Sequence, residues 1–139
     1  MLSSTSGLTL ARMAERANLR ILIVDDASLV RRYYRDALER AGFAVEEAFN
    51  GVEALEKVDG CDLAVVDVNM PQMDGLTFIK TLRRRDREAG SLPILITSTE
   101  AGPQDLLAGR MAGANFYLVK PVNQDVLVEH VEMMCGVPR

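Results

Sequence analysis

The stretch ILIVDDAS, residues 21–28, decides how the chain is read. Four aliphatic residues, Ile21 to Val24, run without a polar break into two adjacent aspartates. A short apolar run with no alternation suits a strand covered on both faces. Carboxylates are disfavoured in strands and in interiors. The pair Asp25–Asp26 therefore marks where the strand leaves the core, and two acids placed there require a reason.

The same kind of run recurs downstream. Strand patterns appear at 43–49 (FAVEEAF), 62–67 (DLAVVD), 92–97 (LPILIT) and 115–119 (NFYLV). Helical periodicity fills the gaps. Residues 28–41 carry Val30, Tyr33, Tyr34, Ala37, Leu38 and Ala41 on one stripe, with Ser28 as an expected N-cap and Gly42 as the expected residue beyond the C-cap. Residues 51–58 offer Val52, Leu55 and Val58, and 74–85 offer Leu76, Ile79 and Leu82. Residues 103–112 open on Pro103, favoured in a first helical turn, and 123–134 carry Leu127, Val131 and Met134. Five strands alternating with five helices predict a doubly wound α/β domain with a five-stranded parallel sheet. The mixed second run is expected at a sheet edge.

Composition bounds the function. A chain of 139 residues, 48% apolar and 26% charged, suits one soluble domain with its own core. A net charge of −4 gives no support for a nucleic-acid or membrane-surface binder. Two cysteines, Cys61 and Cys135, and the single His130 exclude a cysteine/histidine zinc site of ordinary spacing. No apolar stretch approaches the ~20 residues of a membrane span, and the start is not a secretory signal. A reduced, cytoplasmic setting follows. The domain is expected over 20–135, after a flexible extension over 1–19 and before a tail at 136–139. Within the extension, Leu8 to Leu19 could form a short amphipathic helix with Leu10, Met13 and Ala14 on one face.

In a doubly wound sheet, ligands bind outside the carboxyl ends of the strands. The residues beyond those ends are Asp25–Asp26, Asn50, Asp67–Asn69, Thr97–Thr99 and Lys120–Pro121. Asp25, Asp26 and Asp67 repel one another at close range, so such a group implies a bound cation. Oxygen ligands without histidine or cysteine point to Mg²⁺, which commonly shares its shell with a phosphoryl oxygen. The ammonium of Lys120 and the hydroxyl of Thr97 suit phosphoryl oxygens as well. Asp67, ending the central run LAVVD, is the expected nucleophile, since a carboxylate can form an acyl phosphate.

The motifs VDD, VVDVNMPQMDG, ITS and VKP, taken together, resemble a response-regulator receiver domain of the CheY-like kind over roughly residues 20–135. The separations of 41, 30 and 23 residues between Asp26, Asp67, Thr97 and Lys120 suit that family. The resemblance implies a flavodoxin-like (βα)5 fold and a single-domain response regulator. Asp67 accepts a phosphoryl group from a sensor histidine kinase or phosphotransfer protein, and the only catalysis is the chain's own phosphorylation and dephosphorylation. It implies that Asp26, Asp67 and the backbone carbonyl of Asn69 ligate Mg²⁺ directly, with Asp25 acting mostly through water. Lys120, whose bond to Pro121 is typically cis in the family, pairs with the phosphoryl oxygens. Thr97 moves toward them, Tyr117 turns inward as an aromatic switch, and Asn69 and Thr99 tune dephosphorylation. The output passes through the helix at 103–112, the strand at 115–119 and the helix at 123–134. Its target is a protein such as a flagellar motor component, a kinase or a phosphotransfer protein. The chain is expected as a monomer or a weak phosphorylation-dependent dimer.

Other features carry lesser expectations. The arginines at 83–85 with Arg87 suit the solvated end of the third helix, His130 suits a surface, and Phe116 suits buried packing. The stretch TSTEAGPQDLLAGRMAG, 97–113, is about one residue longer than in many relatives. Its Gly109 predicts a short, easily shifted helix, since glycine costs ~1 kcal/mol there relative to alanine. Val126, His130 and Met133 form a second stripe on the last helix, suited to a partner, to self-association, or to cover by the N-terminal extension. Two other functions fit a related sheet. An aspartate-nucleophile phosphohydrolase would want D-x-D after the first strand, and a flavodoxin-like cofactor binder would want a phosphate-cradling loop there. The sequence DDASLV supplies neither.

Overall fold

The computed structural model describes residues 10–85 and 87–137. In chain order the elements are α1 (Leu10–Ala17), β1 (Arg20–Val24), α2 (Ser28–Arg40), β2 (Ala44–Ala48), α3 (Gly51–Lys57) and β3 (Leu63–Asp67). They continue with α4 (Gly75–Arg83), α5 (Arg87–Gly90), β4 (Ile94–Ser98), α6 (Pro103–Ala112), β5 (Phe116–Val119) and α7 (Gln124–Cys135). The five strands form one parallel sheet in the order β2-β1-β3-β4-β5. The mixed strand β2 lies at an edge, as its sequence implied.

Period-two alternation divides each central strand between two cores. Leu22, Val24, Ala64, Val66, Ile94 and Ile96 face one way, against Phe78, Ile79 and Leu82 of α4. Ile21, Ile23, Leu63, Val65 and Leu95 face the other way, against Tyr34 and Leu38 of α2 and Leu127 and Val131 of α7. Both faces are dry, which is why these strands read as unbroken apolar runs.

Several local expectations change. The N-cap of α2 is Ala27, not Ser28, and it has no side-chain cap. Its N–H donates to Asp25 Oδ1 at 2.9 Å, which fixes the turn leading into the helix. Val52 is exposed on α3, where Ala54 turns inward beside the expected Leu55 and Val58. Arg83 is no solvated arginine. Its guanidinium donates to the carbonyls of Gly113, Gly90 and Leu92 and to Asn115 Oδ1, tying α4 to the starts of β4 and β5.

The largest departure is at the amino terminus. Residues 1–9 lie outside the described residues, but 10–17 form a docked helix rather than a loose tail. Of the expected face only Met13 turns inward, since Leu10 is 89% exposed and Ala14 is exposed too. Arg16 joins Met13 there. Met13 Sδ lies over Gly42, where an added Cβ would come within 3.0 Å of it. Arg16, fully buried, donates to Glu132 Oε2 at 2.6 Å and to the Ala41 carbonyl at 3.3 Å, with its guanidinium 5.3 Å from the Phe43 ring centroid. Hydrophobic periodicity missed this face because its central residue is a cation.

Breaking one side of a buried ion pair costs more than replacing both sides with apolar groups. Arg16→Ala should therefore lower the stability by about 2 to 3 kcal/mol in urea unfolding. Arg16→Met combined with Glu132→Leu should recover most of that loss.

Candidate functional site

The carboxyl ends of β1, β3, β4 and β5 converge because parallel strands point one way, and the residues just past them meet there. Asp25 and Asp26 follow β1, and Asp67 ends β3. One carboxylate oxygen from each lies within 4.8 Å of the others. Asp25 and Asp67 are buried, whereas Asp26 is exposed. Lys120, past the end of β5, places Nζ 3.0 Å from Asp25 Oδ2 and 3.1 Å from Asp67 Oδ1. The Lys120–Pro121 bond is cis.

These charges perturb one another. Burial pushes the Asp67 carboxyl above its ordinary value, and repulsion from Asp25 adds to this while Lys120 opposes it. Burial alone would depress Lys120, yet its contacts with Asp25 and Asp67 outweigh that and hold it above its ordinary value. One ammonium cannot neutralise three carboxylates, so the cluster retains the capacity for a cation.

Thr97 is paired in register with Asp67 across β3 and β4. Its Oγ1 is buried, with the Tyr34 phenol beside it. Asn69 and Thr99 are both exposed at the rim. Tyr117 is half-buried, with its hydroxyl donating to the Glu100 carbonyl at 2.8 Å. The structure thus brings Asp25, Asp26, Asp67, Thr97 and Lys120 to one place, with Asn69, Thr99 and Tyr117 around it.

Two neighbours escaped the sequence reading. Tyr34, taken only as core, is buried with its phenol near Lys120, Thr97, Asp25 and Asp67, and burial raises its ionisation above the ordinary value. It also lines an apolar cleft of about 460 Å³ with Leu29, Thr99, Lys120 and Pro121. Arg31 donates to the Asp25 carbonyl at 2.7 Å and is itself held by Glu47, which steadies the turn carrying both aspartates. Tyr34 sits eight residues past Asp26, two turns up the helix face that points under the sheet end; that spacing was the available signal.

Farther along β5 the surface turns apolar. Phe116, expected in the core, is 43% exposed and meets His130 edge-on at 6.0 Å between ring centroids. It lies on the outermost strand of the sheet and packs against α7 through His130 rather than entering the core. Val126 and Met133 of α7 and Leu107 and Met111 of α6 are also exposed, so α1 does not cover the Val126/His130/Met133 stripe. Among the described residues no helix is long and apolar enough to cross a membrane.

Comparisons with known proteins agree with this geometry. The family model described as "Response regulator receiver domain" matches residues 21–132. Chemotaxis protein CheY1 of Helicobacter pylori is 38% identical over 122 residues, spanning 85% of this chain and 98% of the relative. A CheY homolog of Campylobacter jejuni is 37% identical, spanning 85% and 93%. Among solved structures, chemotaxis protein CheY4 of Vibrio cholerae superposes with a TM-score of 0.77 at 35% identity, covering 84% of this chain and 98% of that one. A response regulator from Chloroflexus aurantiacus superposes at 0.80 with 34% identity, covering 85% and 98%.

Lys120 is the counter-charge on which two buried carboxylates depend. In EDTA, Lys120→Met should lower stability at pH 7 by about 2 kcal/mol, less than a fully buried pair because the lysine is partly exposed. A carboxyl whose native value is raised loses stability as pH rises through its titration, since the native state then binds more protons than the unfolded one. The deficit of Lys120→Met, read by urea unfolding, should therefore shrink as pH falls toward 5.

Proposed function

This chain belongs to the response-regulator receiver family, and from that premise we propose that it is a phosphorylation switch with Asp67 as the acceptor. The observation carrying the reading is Lys120 held against both Asp25 and Asp67 inside a three-carboxylate cluster. An acid cluster alone would serve any cation. An ammonium bridging it, beside a buried hydroxyl, suits a phosphoryl group.

In this reading a carboxylate oxygen of Asp67 attacks phosphorus on the phosphohistidine of a kinase or phosphotransfer protein. The oxygen–phosphorus bond forms as the nitrogen–phosphorus bond breaks, and the imidazole leaves. Burial supports the nucleophile, because a carboxylate with a raised pKa is more basic and less hydrated. Lys120 keeps Asp67 ionised and meets the arriving oxygens with its charge. Thr97 Oγ1 has hydrogen-bonding capacity to spare for one of them. Asp26 and Asp67, with the Asn69 carbonyl and with Asp25 behind them, would hold Mg²⁺, which when bound neutralises phosphoryl charge. Asn69 and Thr99, exposed at the rim, are placed to set how readily water reaches the acyl phosphate.

The signal then passes to a protein target through α6, β5 and α7. The exposed apolar residues there support that reading, since scattered polar cover is the rule on a surface that binds nothing. The similarity to chemotaxis proteins favours a target within such a pathway. A cytoplasmic location accords with a phosphodonor of that kind.

Incubation with acetyl phosphate should add one base-labile phosphate, dependent on Mg²⁺, and Asp67→Asn should abolish it. Asp26→Ala should reduce labelling at least tenfold. Labelling of Asp67→Asn at the wild-type level, read by intact mass, would place the acceptor elsewhere.

Met133, 55% exposed on α7, lies far from the acceptor. Met133→Glu should leave labelling unchanged yet weaken target binding or phosphate-dependent self-association about tenfold, as loss of an apolar anchor would. Equal binding by titration would move the readout face elsewhere on the domain.

A further inference from the structure

Tyr117 lies between two clefts. One, of about 250 Å³, is bounded by Val68, Asn69, Asp74 and Glu100 beside the acceptor loop. The other, of about 350 Å³, opens outward between Leu106, Arg110, Asn115 and Phe116. The ring separates them, resting on the backbone of α6 with its hydroxyl bound to the Glu100 carbonyl.

What permits this placement is Gly109. A Cβ built there would lie 2.9 Å from Ile96 Cδ1 and 3.0 and 3.2 Å from Tyr117 Cδ2 and Cε2. The first is shorter than side chains tolerate, and the other two require the ring to give way by a few tenths of an ångström; Ile96 is fully buried in β4. Glycine inside a helix is otherwise unfavourable, since it gives up more backbone freedom than alanine. The backbone of Gly109 is ordinary helix, unlike Gly113, whose φ of +117° calls for glycine on conformational grounds. At 109 the demand is for space alone. The sequence had suggested that this glycine loosens α6; the geometry assigns it a different task.

We propose that Gly109 is a positioning residue of the switch. Its bare α-carbon is the seat of the Tyr117 ring, and any side chain there drives the ring toward the outer cleft and weakens the link between acceptor and output face. The inference rests on the phosphoacceptor reading above and extends it to a residue that touches neither phosphate nor target. Coupling between two sites is reciprocal. If a phosphoryl group favours the seated ring, unseating the ring must weaken the hold on a phosphoryl group to the same extent.

The test uses the full chain labelled with 3-fluorotyrosine, the Tyr117 fluorine resonance being assigned by its loss in Tyr117→Phe. Beryllofluoride with Mg²⁺ serves as the phosphoryl probe. In Gly109→Ala the Tyr117 resonance should move toward the solvent-exposed position before any probe is added. The beryllofluoride concentration for half-saturation should rise about fivefold, the lower end of ordinary coupling. The variant should still melt in one cooperative transition, the helix-propensity gain of alanine offsetting part of the overpacking cost, which separates a lost seat from a damaged fold. Ile96→Val in the Gly109→Ala background removes Cδ1 but leaves the ring contact, so the shift should persist. Full recovery on that change would overturn the proposal in favour of Ile96, and an unmoved resonance with unchanged half-saturation would overturn it outright. A wild-type chain deaf to beryllofluoride would instead sink the phosphoacceptor reading, while the fluorine position in Gly109→Ala still decides the seat.

Discussion

One ammonium between two buried carboxylates governs this molecule. Lys120 Nζ lies about equally far from Asp25 and Asp67, at 3.0 and 3.1 Å, and without it those acids would repel in a poorly solvated site. The arrangement demands that β1, β3 and β5 end at the same level. A parallel sheet satisfies that requirement, because its strands share a direction and its crossovers return each one to the same starting edge. The two apolar cores on either side then fix register. A slip of one residue would send Asp67 inward with the wrong core and turn Val66 toward the site.

The site is also supported from beneath by groups that do not belong to it chemically. Arg31 grips the Asp25 carbonyl, Glu47 grips Arg31, and Tyr34 fills the floor below Lys120. Arg83 performs a comparable task at the opposite end of β4, joining three carbonyls that would otherwise end in loops. Long side chains with several donors are suited to this, since a single guanidinium can satisfy carbonyls from different segments at once.

Much of this was legible in the sequence because its causes are periodic or local. Strands covered on both faces must be apolar throughout, so ILIV and LAVV announced themselves, and acids at their ends had no structural excuse. The convergence of Asp25, Asp26, Asp67, Thr97 and Lys120 followed from strand direction. What stayed hidden depends on three-dimensional neighbours. Arg16 and Arg83 look like surface cations until the carbonyls and the Glu132 carboxylate they meet are in place. Phe116 looks like core until its place on the outermost strand, against His130 of α7, is known. Tyr34 reads as one more apolar helix residue, because periodicity records which way a side chain points and not where its hydroxyl ends. Gly109 reads as slack in a helix, because nothing local reveals the ring packed against it.

The docked α1 has a geometric consequence. Its partners, Ala41, Gly42, Phe43 and the Glu132 end of α7, all lie at the amino-terminal rim of the sheet. The acceptor lies at the other rim, about 16 Å away across five residues of strand. Helix α1 therefore closes over the amino-terminal rim at Arg16 and Met13 and leaves the acceptor rim uncovered by those contacts. The exposed Ala14, between the two docked residues, is thus a natural point for immobilising this domain on a surface with its acceptor rim facing solution.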